Sequence, residues 1–118
     1  MFDNSLEKVV NDVQGAHAAV LMGFDGILVD MFGETEGMDI ESMGMEFSVL
    51  LKEVRKAAEL LEVGTADEMT IRTEKMIAVM RTVTEDYFIA MALSPNGNLG
   101  KARYKLRVTA PVLGEELS

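Results

Sequence analysis

Two regions of the chain hold residues whose types and spacing could do chemistry. The run Ser94-Pro95-Asn96-Gly97-Asn98-Leu99-Gly100-Lys101 sets glycines and a lysine after an apolar stretch, and Lys101, Arg103, Lys105 and Arg107 then follow within seven residues. These are the ingredients of a phosphate cradle. A Walker loop, however, needs glycines farther apart and a hydroxyl residue after the lysine, and Ala102 stands there instead. The residue types fit a strand-to-helix corner better: Pro95 fixes φ, Asn96 and Gly97 tolerate positive φ, and Asn98 can cap a helix beginning at Leu99. The cations recur at i, i+4 on either side of an apolar stripe, which predicts a solvated rim. The second region, Glu34, Glu36, Asp39 and Glu41, could hold a hard cation but lacks calcium-loop spacing; acids at the start of a helix serve its dipole. His17 is the only histidine and there is no cysteine, so no His-based triad, His-pair metal site or thiolate site can form. No catalytic residue, metal or cofactor is expected.

The elements that must position these residues follow from periodicity. Asp3, Asn4 or Ser5 can cap a first helix carrying Leu6, Val9, Val10 and Val13, with Gly15 available to end it. Two apolar runs around Asp25-Gly26 predict a hairpin with a type I′ turn. Asp39 stands where a cap belongs, and from Ile40 to Val63 the residues Ile40, Met43, Phe47, Leu50, Leu51, Val54, Ala57, Ala58 and Leu61 share one arc at about 100° per residue. Gly64 can close that helix. Strands are expected around 68–73, 76–83 and 87–93, joined by short links into an antiparallel meander, the last apolar on both faces as a central strand would be. Leu99, Ala102, Leu106 and Leu113 mark a final helix that Pro111 should end or kink near Thr109. The fold class is α+β: one domain over residues 1–118, built on a five-stranded antiparallel sheet in the order helix-strand-strand-helix-strand-strand-strand-helix.

Composition narrows the partners. Lys plus Arg number 11 against 20 Asp plus Glu, a formal net charge of −9, which opposes binding to nucleic acid or to anionic lipid. No apolar run is long enough to insert into a membrane, and the start of the chain lacks secretory character, so a cytoplasmic protein is expected. Ten methionines and no tryptophan give a core, or an exposed contact surface, of flexible side chains able to repack. On the long helix, Met45, Val49 and Leu60 fall outside the buried arc, and Gly44 interrupts it. Either a partner covers these residues and another backbone approaches Gly44, or they are scattered exposed residues of an ordinary kind. Met45, Val49, Lys52 and Lys56 form a strip with an apolar start and a cationic end. The strand "EMTIRT" would be an unpaired edge in a monomer.

The order of elements, the "GFDGILVD" hairpin and the closing "NGNLGKARYKLR" together resemble the roadblock/dynein light chain domain family, particularly its bacterial members that act with small Ras-like GTPases. Asn98-Leu99-Gly100 followed by Arg103 carries the likeness most strongly. The resemblance implies a roadblock (profilin-like) sandwich and a homodimer with second helices side by side and third strands paired across the axis. It further implies a non-enzymatic scaffold that binds a GTPase, in some members accelerating hydrolysis without donating an arginine. The residues assigned on this reading are Met45, Val49, Lys52 and Lys56 for the GTPase partner, and Gly44, Ser48, Met69, Thr70, Ile71 and Arg72 for the dimer. The alternatives are a structural adaptor tethering a motor or signalling complex, and a small-ligand sensor domain.

Overall fold

The computed structural model describes residues 4–118; Asp3, a candidate first cap, lies outside them. The elements are α1 (Ser5–Asn11), β1 (Ala16–Gly23), β2 (Leu28–Gly33), α2 (Ile40–Leu61), β3 (Glu68–Arg72), β4 (Ile77–Thr82), β5 (Tyr87–Leu93) and α3 (Leu99–Leu117). The strands form one antiparallel sheet in the order β2-β1-β5-β4-β3, so β1 and β5 lie inside it and β2 and β3 are its edges.

Because side chains alternate along a strand, the inner strands present two apolar faces. Ala19, Leu21, Ile77, Val79, Ile89, Met91 and Leu93 face α1 and α3. Ala18, Val20, Met22, Ala78, Met80, Phe88, Ala90 and Ala92 face α2. The second face is rich in alanine, which lets α2 approach closely. Gly44 belongs to that approach: a Cβ there would stand 2.9 Å from the Met22 methyl and 3.3 Å from Val20. The close neighbour at Gly44 is therefore this chain's own sheet. Ser48, one turn on, is 3% exposed and donates its hydroxyl to the Met45 carbonyl at 2.6 Å, which satisfies this buried polar side chain.

Several local expectations are corrected. The β1–β2 connection is a three-residue loop, Phe24-Asp25-Gly26, closed by Gly23 N–H donating to the Ile27 carbonyl; Gly26 alone has positive φ (87°), as a type I turn with a following left-handed residue requires. At the end of α1, Asp12 stays right-handed and Gly15 (φ 86°) makes the turn into β1 instead of capping the helix. Helix α2 ends at Leu61 with Glu62 in the left-handed region at φ 55°, its N–H and that of Val63 donating back to Glu59 and Ala58, so a non-glycine residue takes the position expected of Gly64. Neither Asn96 nor Gly97 adopts positive φ. Helix α3 runs through Pro111 to Leu117. Pro111 lies on the exposed side, where only the Arg107 carbonyl loses its helical donor, while Ala110 and Leu113 continue the buried stripe; burying that stripe offsets the ~3 kcal/mol a proline costs.

The predicted buried arc of α2 is also too wide. Ile40, Met43, Gly44, Phe47, Ser48 and Leu51 are buried, whereas Leu50 is 42% and Leu61 70% exposed and Ala57 is exposed as well. The placement of Gly44 sets an expected outcome for Gly44→Leu: overpacking against Met22 and Val20 should cost about 1–3 kcal/mol in urea unfolding, with self-association unchanged once folding is restored at low temperature.

Candidate partner interface

The two caps that position the candidate residues form as their sequence requires. Asp39 accepts from the Ser42 N–H at 3.0 Å and its hydroxyl at 2.8 Å, starting α2, and Asn98 accepts from Lys101 N–H at 3.0 Å, starting α3. Glu34, Glu36 and Glu41 are not drawn together with Asp39, and among the described residues no three His, Asp or Glu side chains gather to hold a metal. His17 is exposed at the start of β1.

On α2, Met45 (48% exposed) and Val49 (52%) point away from the sheet, and Lys52 and Lys56 continue the same side toward the C-terminus. The predicted strip is thus brought together as one surface on the outer side of the helix. A second exposed apolar line, Leu50, Ala57 and Leu61, runs along one flank between the strip and the core; periodicity could not tell it from core because both are apolar at helical spacing. The helix is fixed in rotation on its other side by Arg55, whose guanidinium lies 4.1 Å from the centroid of the Phe24 ring, itself 5.3 Å from Phe88.

At the β3 edge, Met69 and Ile71 pack toward the α2 layer, while Glu68, Thr70 and Arg72 face the α3 layer. Arg72 donates to the Pro95 carbonyl at 3.0 Å, tying the edge strand to the β5–α3 corner. Of the residues assigned to a dimer contact, Met69, Thr70, Ile71 and Arg72 lie on this edge, whereas Gly44 and Ser48 are spent within the chain's own core.

The profile of the Roadblock/LC7 domain matches residues 2–93. The chain belongs to the Roadblock/LC7 family. Among solved structures it is similar to MglC from Myxococcus xanthus, at 48% identity over 98% of both chains with a TM-score of 0.69. The gliding protein MglB from Thermus thermophilus is 15% identical over 97% of this chain and 86% of its own, with a TM-score of 0.83, and shares the fold. Acanthamoeba castellanii profilin IB, 12% identical over 100% of both chains with a TM-score of 0.58, shares it too, so the roadblock domain here is a profilin-like sandwich. Among curated proteins no match is found.

The α3 cations do more than form a solvated rim. Lys105 reaches Asp12, the C-cap of α1, at 2.9 Å, and its hydrogen bond and charge hold the Asp12 carboxyl below the usual range. Arg103 pairs with Glu68, which also meets Arg81 at 3.4 Å. The Arg103 hydrogen bond, and then the charges of Arg103, Arg81 and Arg107, lower the Glu68 pKa from 4.5 against an opposing push from burial. A depressed carboxylate contributes stability that is present above its unfolded pKa and lost as pH falls through the folded value. In chemical unfolding, Glu68→Gln should therefore lie below the parent protein at pH 7 by no more than about 1 kcal/mol, the pair being partly exposed, and the gap should close on acidification below pH 4.5.

Proposed function

We propose that this roadblock domain, acting as a single unit, is a non-enzymatic homodimeric regulator or scaffold that binds a small Ras-like GTPase in the cytoplasm. The observation that carries the reading is the outward strip Met45-Val49-Lys52-Lys56 on α2, apolar at one end and cationic at the other, on a helix whose opposite face is already filled by its own sheet. Half-exposed apolar residues in a helical row suit a protein partner. They would supply most of the affinity, and the lysines with neighbouring Glu53 and Glu59 would set orientation and association rate. Membership of the Roadblock/LC7 family and the 48% identity to a bacterial MglC support a partner of the GTPase class.

Self-association has its own support. The β3 edge is short and free in the single chain, and Leu50, Ala57 and Leu61 run along the flank of α2 where a second α2 would pack side by side. Sedimentation equilibrium should give twice the 13.0 kDa chain mass at micromolar concentration, and Leu50→Asp with Leu61→Asp should return a folded 13.0 kDa species. A parent protein that stays at 13.0 kDa would overturn the dimer.

The partner strip is tested by Met45→Glu with Val49→Glu, followed by binding to a Ras-like GTPase of the same genome and by GTP hydrolysis with and without this chain. Binding should be lost while thermal unfolding stays cooperative, because both positions lie outside the core. A double variant that becomes monomeric would move the strip to the dimer axis, and one that binds unchanged would remove it from the partner surface. Binding that leaves the hydrolysis rate untouched would make the protein an adaptor.

A further inference from the structure

On the layer opposite the α2 strip, the start of β3, the end of β4 and the first three turns of α3 enclose an open cleft of 360 Å³ lined by Glu68, Arg81, Gly100, Arg103, Tyr104 and Arg107. Three guanidiniums and one carboxylate line it, a local surplus of positive charge in a chain whose net charge is −9. We infer that this cleft is a docking site for an acidic, extended segment of a protein partner, held through its carboxylates by Arg103 and Arg107, with Arg81 behind them.

Four observations lead to that occupant. Glu68 already demonstrates the mode of binding, since its carboxylate is gripped by Arg81 from the paired strand and by Arg103 from the helix. Arg107 has no carboxylate within ion-pair distance among the described residues; its guanidinium is held 5.5 Å from the Tyr104 ring centroid, and so is oriented without being neutralised. Tyr104 is 53% exposed beside it, and an exposed tyrosine next to arginines is the composition of an interface anchor. Gly100 leaves the entrance open: a Cβ there would meet only the Asn98 side chain, at 3.8 Å.

Spacing selects the form of the ligand. Arg103 and Arg107 stand one helical turn apart, roughly 6 Å, which matches carboxylates two residues apart on an extended chain, roughly 7 Å. Guanidinium forks grip carboxylates in a bidentate manner, so register would be defined as well as attraction. The acidic remainder of the surface would repel the same segment elsewhere and direct it to the cleft. The inference does not depend on GTPase binding, which was assigned to α2.

The test uses the full chain and a short peptide of alternating Glu and Thr, followed by amide chemical-shift titration, with a Lys-Thr peptide and sodium sulfate as comparison ligands. Shifts should concentrate at Arg81, Gly100, Arg103, Tyr104 and Arg107, and affinity should fall about tenfold when salt is raised from low to several hundred millimolar. Arg107→Glu, which breaks no ion pair within the chain, should weaken the Glu-Thr peptide about tenfold, while Lys52→Glu with Lys56→Glu leaves it unchanged. Absent or scattered shifts, equal affinity in Arg107→Glu, or sulfate reproducing the whole pattern at equal affinity (an adventitious ion only) would each overturn the proposal.

Discussion

The structure depends on the burial of β1 and β5 from both sides. Six successive residues in each of β1 and β5 are buried, and alternation sends them to opposite faces, so neither face can be left to water. Helices must then be divided between two layers. Helix α2, which crosses from one edge of the sheet to the other in sequence, covers the alanine-rich face, and α1 with α3 covers the larger side chains of the other. The consequence is a sandwich whose free surfaces are fixed in advance: the outer side of α2, the outer side of α3 and the two edge strands.

A contact between two turns sets the α3 layer in register. Gly15, at φ 86°, lies directly against Gly97, and Ser94 and Asn98 donate their N–H groups to the Gly15 and Gln14 carbonyls at 2.8 and 2.9 Å. Side chains at either glycine would separate the turns, since a Cβ on Gly97 would already stand 3.2 Å from the Gln14 carbonyl. The polar run before α3 is thus explained by backbone packing, and its glycine is required by proximity instead of by a left-handed conformation. With that corner fixed, the helix presents Lys105 to Asp12 and Arg103 to Glu68, and Arg72 locks the edge strand to the same turn through the Pro95 carbonyl.

What was legible in the sequence was whatever a single element decides locally. Helix caps at Asp39 and Asn98, the two apolar faces of β5 and the order of the elements depend on near neighbours, and each forms as read. What failed was information held between elements. Leu50, Ala57 and Leu61 have the same spacing as core residues, and only the position of the sheet shows that they miss it. Gly44 looks like a gap for a neighbouring chain until Met22 and Val20 are found in it. Pro111 should stop a helix, and does not because its exposed side carries the missing bond while Leu113 keeps the stripe buried. The cleft of arginines was hidden for the same reason: Glu68 and Arg103 are 35 residues apart and belong to separate elements.

The two proposed surfaces occupy opposite layers of one thin sandwich, and that placement has a mechanical meaning. A partner on α2 and an acidic segment on α3 would not compete for space, because the whole sheet lies between them. Strand β3 nevertheless serves both layers, sending Met69 and Ile71 toward α2 and Glu68 and Arg72 toward α3. An edge strand that pairs with a second copy would bring two such strands to one axis, and with them two arginine clefts on one side and two α2 helices on the other. A chain in which no metal-holding group gathers among the described residues can still do useful work by that geometry alone. On the two proposed assignments it would hold two kinds of partner at a fixed separation, one on each face of the sheet.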